Sequence, residues 1–316
     1  MAKSAANQSH ASRKTANLSN PLSRQSSVRA RKAAHKVGIG AHVSIAGGYC
    51  EALKRGNEFE LDAIQIFTSS PRSRVRRVVT PTEEKEFIQA CTVSPIRNVY
   101  VHTPYYVNAA SPDDRTWHFS QTYIIREVGL MDRIQAKYFV MHVGSHLGSG
   151  VKKGKARVTR MLDEVLQKTK NSNVVICLEN TAGQRNDVGG KFEDMGEILG
   201  RFKGEKRIGA IMDTCHMFSA GYDIRTPDKV AEVFGQIDKF IGWKRIPMLH
   251  FNDSKTKLGG GHDRHHTLGK GYIGYEGLAA VIGSPCVRGK DLVLETEESG
   301  RVADVAWLKK TVEQLD

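Results

Sequence analysis

The sequence predicts an α/β fold, a single-domain (β/α)8 TIM barrel at residues 37–316, and three observations lead to this fold class. A short apolar, β-branched run recurs eight times along the chain, as expected of parallel strands buried on both faces. Amphipathic segments separate these runs. A doubly wound open sheet could have the same strand count, but no GxGxxG loop follows the first run, which disfavours its dinucleotide-binding form.

The predicted strands follow one another at regular intervals. In chain order they are 37–42 (VGIGAH), 62–67 (DAIQIF), 97–102 (RNVYVH), 137–142 (KYFVMH), 174–179 (VVICLE), 208–213 (IGAIMD), 246–251 (IPMLHF) and 291–296 (DLVLET). Two intervening helices have clear start signals. Segment 80–91 has Thr82 as its expected N-cap, and segment 226–242 has Thr226 as N-cap with Pro227 at the first helical position.

Charge is distributed unevenly along the chain. The net charge is +13, and residues 1–36 contribute eight Lys or Arg and no acidic residue. Because this segment is rich in Ser, Ala and Arg and poor in large apolar side chains, we expect a disordered basic tail. The rest holds 39 basic and 34 acidic side chains, and a polyanion is the obvious partner for such a charge.

The sequence leaves three functions open for the tail. It could add nonspecific affinity for nucleic acid, act as an Arg- and Ser-rich transit peptide of the mitochondrial type, or be a nuclear or vestigial extension. It has no apolar region of the kind found in secretory signals. We therefore expect a cytoplasmic, nucleoid-associated protein in a prokaryote, and a nuclear or mitochondrial protein in a eukaryote.

Cysteine usage and hydropathy argue against other classes. The five cysteines are scattered and form no CxxC pair, which indicates a reducing compartment and disfavours a cysteine-built zinc site. No apolar run approaches the roughly 18 residues of a membrane span, so no membrane partner is expected.

The ends of the predicted strands carry potential metal ligands. Seven of the eight runs have a His, Asp or Glu as their last or next-to-last residue, and only the run ending at Phe67 does not. Barrel strands all end on one face, where active sites lie. One such histidine could be an ordinary polar residue at a loop start, but seven coincidences favour a metal site. The seven residues are His42, His102, His142, Glu179, Asp213, His250 and Glu295.

Two loops add further ligands. His216 follows Asp213 by three residues. The loop DRHHTLGKG (263–271) places Asp263 and His265 two residues apart, where an extended chain directs both side chains to one side.

The number of ligands indicates more than one metal ion. With His42 set aside as a structural or supporting residue, nine ligands remain. At roughly three protein ligands per catalytic zinc, nine ligands indicate two to three ions. Paired ions suit phosphoester hydrolysis, and Glu179 has two oxygens with which to bridge such a pair.

Six segments resemble the endonuclease IV family, the class II apurinic/apyrimidinic endonucleases. They are GAHVSIAGG, LENTAGQ, MDTCHMFSAGYDIRTP, HFNDSK, DRHHTLGKGYIG and LVLET, and the resemblance extends from about residue 37 to 312. It implies a xylose-isomerase-like barrel that hydrolyses the phosphodiester 5′ to an abasic site, leaving a 3′-hydroxyl and a 5′-deoxyribose phosphate. It also implies removal of 3′-blocking groups in base excision repair.

The resemblance further implies three Zn²⁺ ions, with Glu179 as the central catalytic residue bridging the first two. In the family, a hydroxide between these two ions attacks the phosphate and the third ion stabilises the leaving oxygen. Position by position, the first ion falls to His102, His142 and Glu179, the second to Glu179, Asp213, His250 and Glu295, and the third to His216, Asp263 and His265.

The family's DNA contacts transfer to positions near the ligands. The family kinks the duplex and flips out the abasic nucleotide with an Arg after the second strand and a Tyr plus a bulky residue after the third. These positions fall on Arg72, Tyr105 and Tyr106. The last is often aliphatic in the family, and an aromatic ring there could stack on an exposed base. Arg264 is free to face phosphate or an acid, and the basic loop 71–77 is either a phosphate-binding element or a solvated surface.

Two other functions fit parts of the pattern. Sugar isomerases and epimerases of the same barrel class place Glu, Asp and His at strand ends, but typically around one divalent ion. A noncatalytic DNA-binding protein on this fold would be expected to lose ligands, and all nine are present. The ligand set and the basic charge favour the nuclease, which we expect to act as a monomer on duplex DNA with abasic sites or blocked 3′ ends.

Overall fold

The computed structural model describes residues 36–72 and 77–315, and within them it confirms the predicted TIM barrel. Eight parallel strands close in the order β1-β10-β7-β6-β5-β4-β3-β2. They are β1 (Gly38–His42), β2 (Ala63–Ile66), β3 (Asn98–His102), β4 (Tyr138–His142), β5 (Val175–Glu179), β6 (Ile208–Asp213), β7 (Met248–His250) and, after a hairpin of β8 (Asp253–Ser254) and β9 (His265–His266), β10 (Asp291–Leu294). Seven of these strands are shorter than predicted by up to three residues, and β6 has the predicted bounds.

Helices connect the strands and cover the outside of the barrel. They are α1 (Tyr49–Glu58), α2 (Pro81–Val93), α3 (Asp114–Ile134), α4 (Val151–Lys168), α5 (Phe192–Gly200), α6 (Thr214–Ser219), α7 (Pro227–Phe240), α8 (Gly274–Gly283) and α9 (Arg301–Leu315). In α4, Val158, Met161, Leu162 and Val165 are buried, a spacing that places one apolar face against the sheet. No helix in the described part of the chain has the length and apolarity needed to cross a membrane.

One predicted helix start is confirmed and one is wrong. The side chain of Thr226 accepts a hydrogen bond from the Lys229 backbone N–H and caps α7 as expected. Helix α2 is capped by Thr80 instead of Thr82. The physical reason is Pro81, which occupies the first helical position and thereby makes the residue before it the N-cap.

The register of the sheet determines which strand ends are neighbours. His142 of β4 lies opposite Glu179 of β5, and Asp213 of β6 lies opposite His250 of β7. The interior below these residues is filled by buried side chains such as Tyr100 and the thiol-bearing Cys177. The polar strand ends therefore lie next to a packed layer of buried side chains inside the barrel.

The hairpin of β8 and β9 is a feature that the sequence did not predict. It pairs Ser254 with His265 in antiparallel register and so orders the DRHHTLGKG loop. The buried carboxylate of Asp253 accepts backbone hydrogen bonds from Gly271 and Ile273. A Cβ at Gly271 would come within 2.4 Å of an Asp253 carboxylate oxygen, so the loop requires glycine there.

The predicted basic tail lies outside the described residues, except for Lys36, and residues 73–76 of the basic loop also lie outside them. The division of the chain at residue 36 and the disorder of the tail therefore stay predictions.

Candidate metal centre

All nine predicted ligands lie at the C-terminal face of the barrel, on strand ends or in the loops that follow. Glu179, Asp213 and His250 are fully buried. Ligand atoms of the nine residues fall into groups whose members lie within 4.8 Å of one another, and three of these groups together contain all nine.

The first group is formed by His102, His142 and Glu179. His102 Nε2 lies 2.9 Å from Glu179 Oε2, and His142 Nε2 lies 3.2 Å from the same oxygen. Two imidazoles and one carboxylate make a typical three-residue ligand set for a catalytic zinc.

The second group is formed by Glu179, Asp213, His250 and Glu295. His250 Nδ1 lies 2.8 Å from Glu179 Oε1, 3.3 Å from Glu295 Oε2 and 3.8 Å from Asp213 Oδ2. Glu179 thus directs one oxygen to each of the first two groups.

The third group is formed by His216, Asp263 and His265. His216 Nε2 and His265 Nε2 lie 3.2 Å and 3.1 Å from Asp263 Oδ1. Both nitrogens are buried, and neither has a hydrogen-bond partner among the residues that the structure describes. Because buried ring nitrogens are normally hydrogen-bonded or metal-bound, two that approach one carboxylate oxygen in this way fit a shared ion.

Cys215 also lies within reach of two ligands, Asp213 of the second group and His265 of the third. Burial raises the pKa of its thiol to about 12, which keeps the sulfur protonated at neutral pH. Its Sγ donates to the Arg264 carbonyl at 3.6 Å, so the sulfur already has a partner and the carboxylates and imidazoles are the candidate donors.

The electrostatics of the centre favour cations. In the described part of the chain, only histidines form ion pairs with the four carboxylates, and no Lys or Arg does so. Burial lowers the pKa of His216, but the charges of Asp213 and Asp263 outweigh burial and hold that pKa well above its ordinary value. Burial also lowers the pKa of His265, but Asp213 and Asp263 outweigh burial and raise that pKa to about 9. The carboxylates therefore stabilise positive charge at this position.

Hydrogen bonds to carbonyl oxygens determine which imidazole nitrogen faces the carboxylates. His102 Nδ1 lies 2.6 Å from the Thr103 carbonyl, and His216 Nδ1 lies 2.9 Å from the Asn180 carbonyl. A carbonyl can only accept, so each Nδ1 carries the proton. In a neutral ring, Nε2 then carries the lone pair that can bind a metal.

Two asparagines that the sequence reading missed hold the carboxylates in place. Asn252 donates from Nδ2 to Asp213 Oδ2 at 2.7 Å and accepts from the Glu295 backbone N–H at 2.8 Å. Asn180 accepts from the Asp213 backbone N–H. Both asparagines directly follow or nearly follow strand ends, and that position was the signal that could have identified them.

Three further histidines are explained without a metal. His146 Nδ1 accepts from the backbone N–H groups of Gly148 and Gly150 and so orders its own loop. His266 Nδ1 accepts from the Thr267 backbone N–H, and His266 lies in none of the ligand groups that the described residues form. His42 lies beside Glu295, with Nδ1 3.8 Å from Oε1.

The two tyrosines that are predicted to contact DNA occupy different environments. The Tyr105 side chain is 72% exposed, and its ring centroid lies 5.6 Å from that of His142. Tyr106 is half-buried instead, with its ring centroid 5.9 Å from Phe119 and 5.8 Å from Tyr123 of α3. The structure therefore presents Tyr105 beside the candidate metal centre and packs Tyr106 against the barrel.

The predicted arginines lie on the same side of the molecule. Arg72 is exposed and lines a cleft of about 700 Å³ together with His42 and Phe67. Arg264 is also exposed and donates to the backbone carbonyl of Asp263 at 2.8 Å. A second cleft, of about 300 Å³, is lined in part by Tyr105 and by ligands of the first and third groups.

Comparisons with known proteins agree with this fold. The family model for xylose isomerase-like TIM barrels matches residues 53–314. Proteins named "Probable endonuclease 4" from Nitrosopumilus maritimus and Halothermothrix orenii are 39% identical over 260 residues and 36% identical over 268 residues. These matches cover 82% and 84% of this chain, and 92% and 96% of the two relatives.

Solved structures give the same result. Endonuclease IV from Thermus thermophilus has a TM-score of 0.76 and 29% sequence identity, covering 86% of this chain and 99% of that one. A D-tagatose 3-epimerase-like protein, at a TM-score of 0.68 and 19% identity, shares the fold alone. The chain is thus a xylose isomerase-like TIM barrel. Within that class it belongs to the endonuclease IV family, and it is an enzyme of the endonuclease type.

Proposed function

We propose that this protein is a zinc-dependent DNA-repair endonuclease that hydrolyses the phosphodiester 5′ to abasic sites in duplex DNA. The observation that carries the proposal is the convergence of three ligand groups, two of which share Glu179, in a member of the endonuclease IV family. Incision would leave a 3′-hydroxyl and a 5′-deoxyribose phosphate. The same hydrolysis at a blocked 3′ end would release the blocking group.

We assign three Zn²⁺ ions to the centre because imidazole and carboxylate donors without thiolate suit zinc. When bound, such ions generate a nucleophilic hydroxide from water at neutral pH and offset the charge of the phosphate. The residues that would hold them are His102, His142 and Glu179 for the first, Glu179, Asp213, His250 and Glu295 for the second, and His216, Asp263 and His265 for the third.

The chain's own residues would orient the substrate around this centre. Tyr105 is exposed next to His142, where its ring could stack in the gap left by a missing base. Arg72 and Arg264 are exposed on the same face, and their guanidinium groups suit phosphate oxygens. A single open barrel face suffices for these contacts, so we propose that the protein acts as a monomer.

Incision of a defined oligonucleotide tests this function. A duplex with one abasic site is incubated with the full chain, with and without a strong chelator, and the end groups of the products are identified. We expect a 3′-hydroxyl and a 5′-deoxyribose phosphate without chelator and no cleavage with it, while an intact duplex stays uncut. Chelator-resistant cleavage, or cleavage on the 3′ side of the lesion, would contradict the proposal.

Metal analysis of the purified chain is the independent test of the cofactor. We expect close to three zinc ions per chain. A single ion per chain, or mainly magnesium, would instead indicate the chemistry of a sugar isomerase.

A further inference from the structure

We infer that Gln65 is a positioning residue that sets the proton of His250 and the orientation of Glu295 in the metal centre. This inference rests on the proposed function. Gln65 is fully buried in β2, the strand whose end carries no ligand, and it lies opposite His42 of β1. Its side-chain amide contacts three residues at the ends of other strands, His42, His250 and Glu295.

The amide has only one orientation that satisfies its neighbours. Gln65 Nε2 lies 2.6 Å from Glu295 Oε1, and a carboxylate oxygen can only accept a hydrogen bond. The amide nitrogen therefore faces Glu295, and the amide oxygen faces His250. Since His250 Nε2 lies 2.8 Å from this oxygen, His250 Nε2 must donate.

The direction of that hydrogen bond selects the nitrogen of His250 that is available to a metal. A neutral ring with its proton on Nε2 has its lone pair on Nδ1. Nδ1 is the nitrogen that lies 2.8 Å from Glu179 Oε1 and 3.3 Å from Glu295 Oε2. Glu295, through Gln65, thus fixes the tautomer of another member of its own ligand group.

The second amide proton gives His42 a role. Gln65 Nε2 lies 3.0 Å from His42 Nδ1, which therefore accepts and leaves the proton of a neutral His42 on Nε2. The His42 ring packs at 4.4 Å from the ring of Phe67, which holds the imidazole in place. His42 anchors the amide of Gln65 and does not need to bind a metal.

Zinc affinity without DNA tests the inference. Gln65→Met keeps the volume of the side chain and removes its three polar contacts. In competition with a chromophoric zinc chelator, we expect the weakest-held zinc of this variant to bind about 10- to 100-fold less tightly than in the parent chain. Gln121→Met is the matched control, because Gln121 is a buried amide in α3 that donates to Glu164 instead of to the metal centre. It should keep the parent affinity.

The side-chain ¹⁵N shifts of His250 in the parent chain give a second readout that needs no variant. We expect the proton on Nε2. A parent chain that holds three zinc ions no more tightly than Gln65→Met, or a His250 Nε2 that carries no proton, overturns the role of Gln65. A parent chain that binds no zinc refutes the proposed function, and the proton on His250 Nε2 still decides the role of Gln65.

Discussion

His142 and Glu179 lie directly opposite each other on neighbouring parallel strands, with His142 Nε2 3.2 Å from Glu179 Oε2. The other oxygen of Glu179 faces His250 at 2.8 Å. Burial raises the pKa of Glu179, but the charges of His250 and His142 outweigh burial and hold that pKa well below its ordinary value. The carboxylate is therefore ionised and shared between two ligand groups.

Glu179→Gln should abolish incision while the barrel still folds. The amide keeps the shape of the side chain but removes its negative charge. Because Glu179 is fully buried, the electrostatic interaction of that charge with cations is stronger there than in water. We expect the rate of abasic-site incision to fall by at least about 100-fold. The exposed carboxylate of Glu58 supplies the control, since Glu58→Gln should leave the rate unchanged. Full activity of Glu179→Gln at normal zinc content would rule out the bridging role.

Tyr105→Ala and Tyr106→Ala should separate DNA binding from folding. Tyr105 is 72% exposed, so its removal should cost about 1–3 kcal/mol of affinity for abasic duplex and little stability. Tyr106 packs against Phe119 and Tyr123, so its removal should lower the free energy of unfolding by about 1–3 kcal/mol. Fluorescence anisotropy and urea unfolding measure the two effects. Equal effects of the two variants on both measurements would contradict this division.

Asp291 should make stability depend on pH. Its carboxylate is buried at the start of β10 and accepts from Tyr100 Oη and Asn98 Nδ2. Burial raises the pKa of Asp291 despite these hydrogen bonds. The native state then binds the proton more tightly than the unfolded chain, whose Asp pKa is about 3.9. Its stabilising contribution is complete below that value and is lost as pH rises through the native pKa.

Asp291→Asn provides the measurement, because asparagine imitates the protonated carboxyl. The free energy of unfolding of this variant, relative to the parent, should rise with pH above about 4, by at most about 1.4 kcal/mol per pH unit. Asp163→Asn, at an exposed position of α4, should show no such trend. A difference that stays constant from pH 4 to 8 would contradict the assignment.

Deleting residues 1–36 should weaken DNA binding without affecting turnover. The segment carries eight basic and no acidic residues, so its contacts with phosphate would release counterions. We expect the loss of affinity to be largest at low salt and the salt dependence to become shallower. An unchanged binding constant and an unchanged salt dependence would contradict a role of the tail in DNA binding. The tail would then serve in targeting or have no function.

The convergence of the nine candidate ligands could be predicted because barrel topology carries all strand ends to one face, whichever side chains lie between them. Gln65, Asn180 and Asn252 were missed because an amide in a sequence shows no sign of what it contacts. Thr82 was the wrong N-cap because threonines lie on both sides of Pro81. Since Pro81 is the first helical residue, the threonine before it, Thr80, is the N-cap. The DNA contact of Tyr106 stays a prediction, because tertiary packing directs the side chains of a loop and the Tyr106 ring packs near Phe119 and Tyr123.

The sequence by itself determined the fold class and the set of candidate ligands, since hydrophobic runs and strand ends are local properties of the chain. Only the tertiary structure decided how that set divides. The pairing of β4 with β5 and of β6 with β7 assigns one oxygen of Glu179 to each of two groups. The contact between Gln65 and Glu295 joins residues 230 positions apart. Such contacts exist only once the barrel closes, because closure brings the first strands against the last.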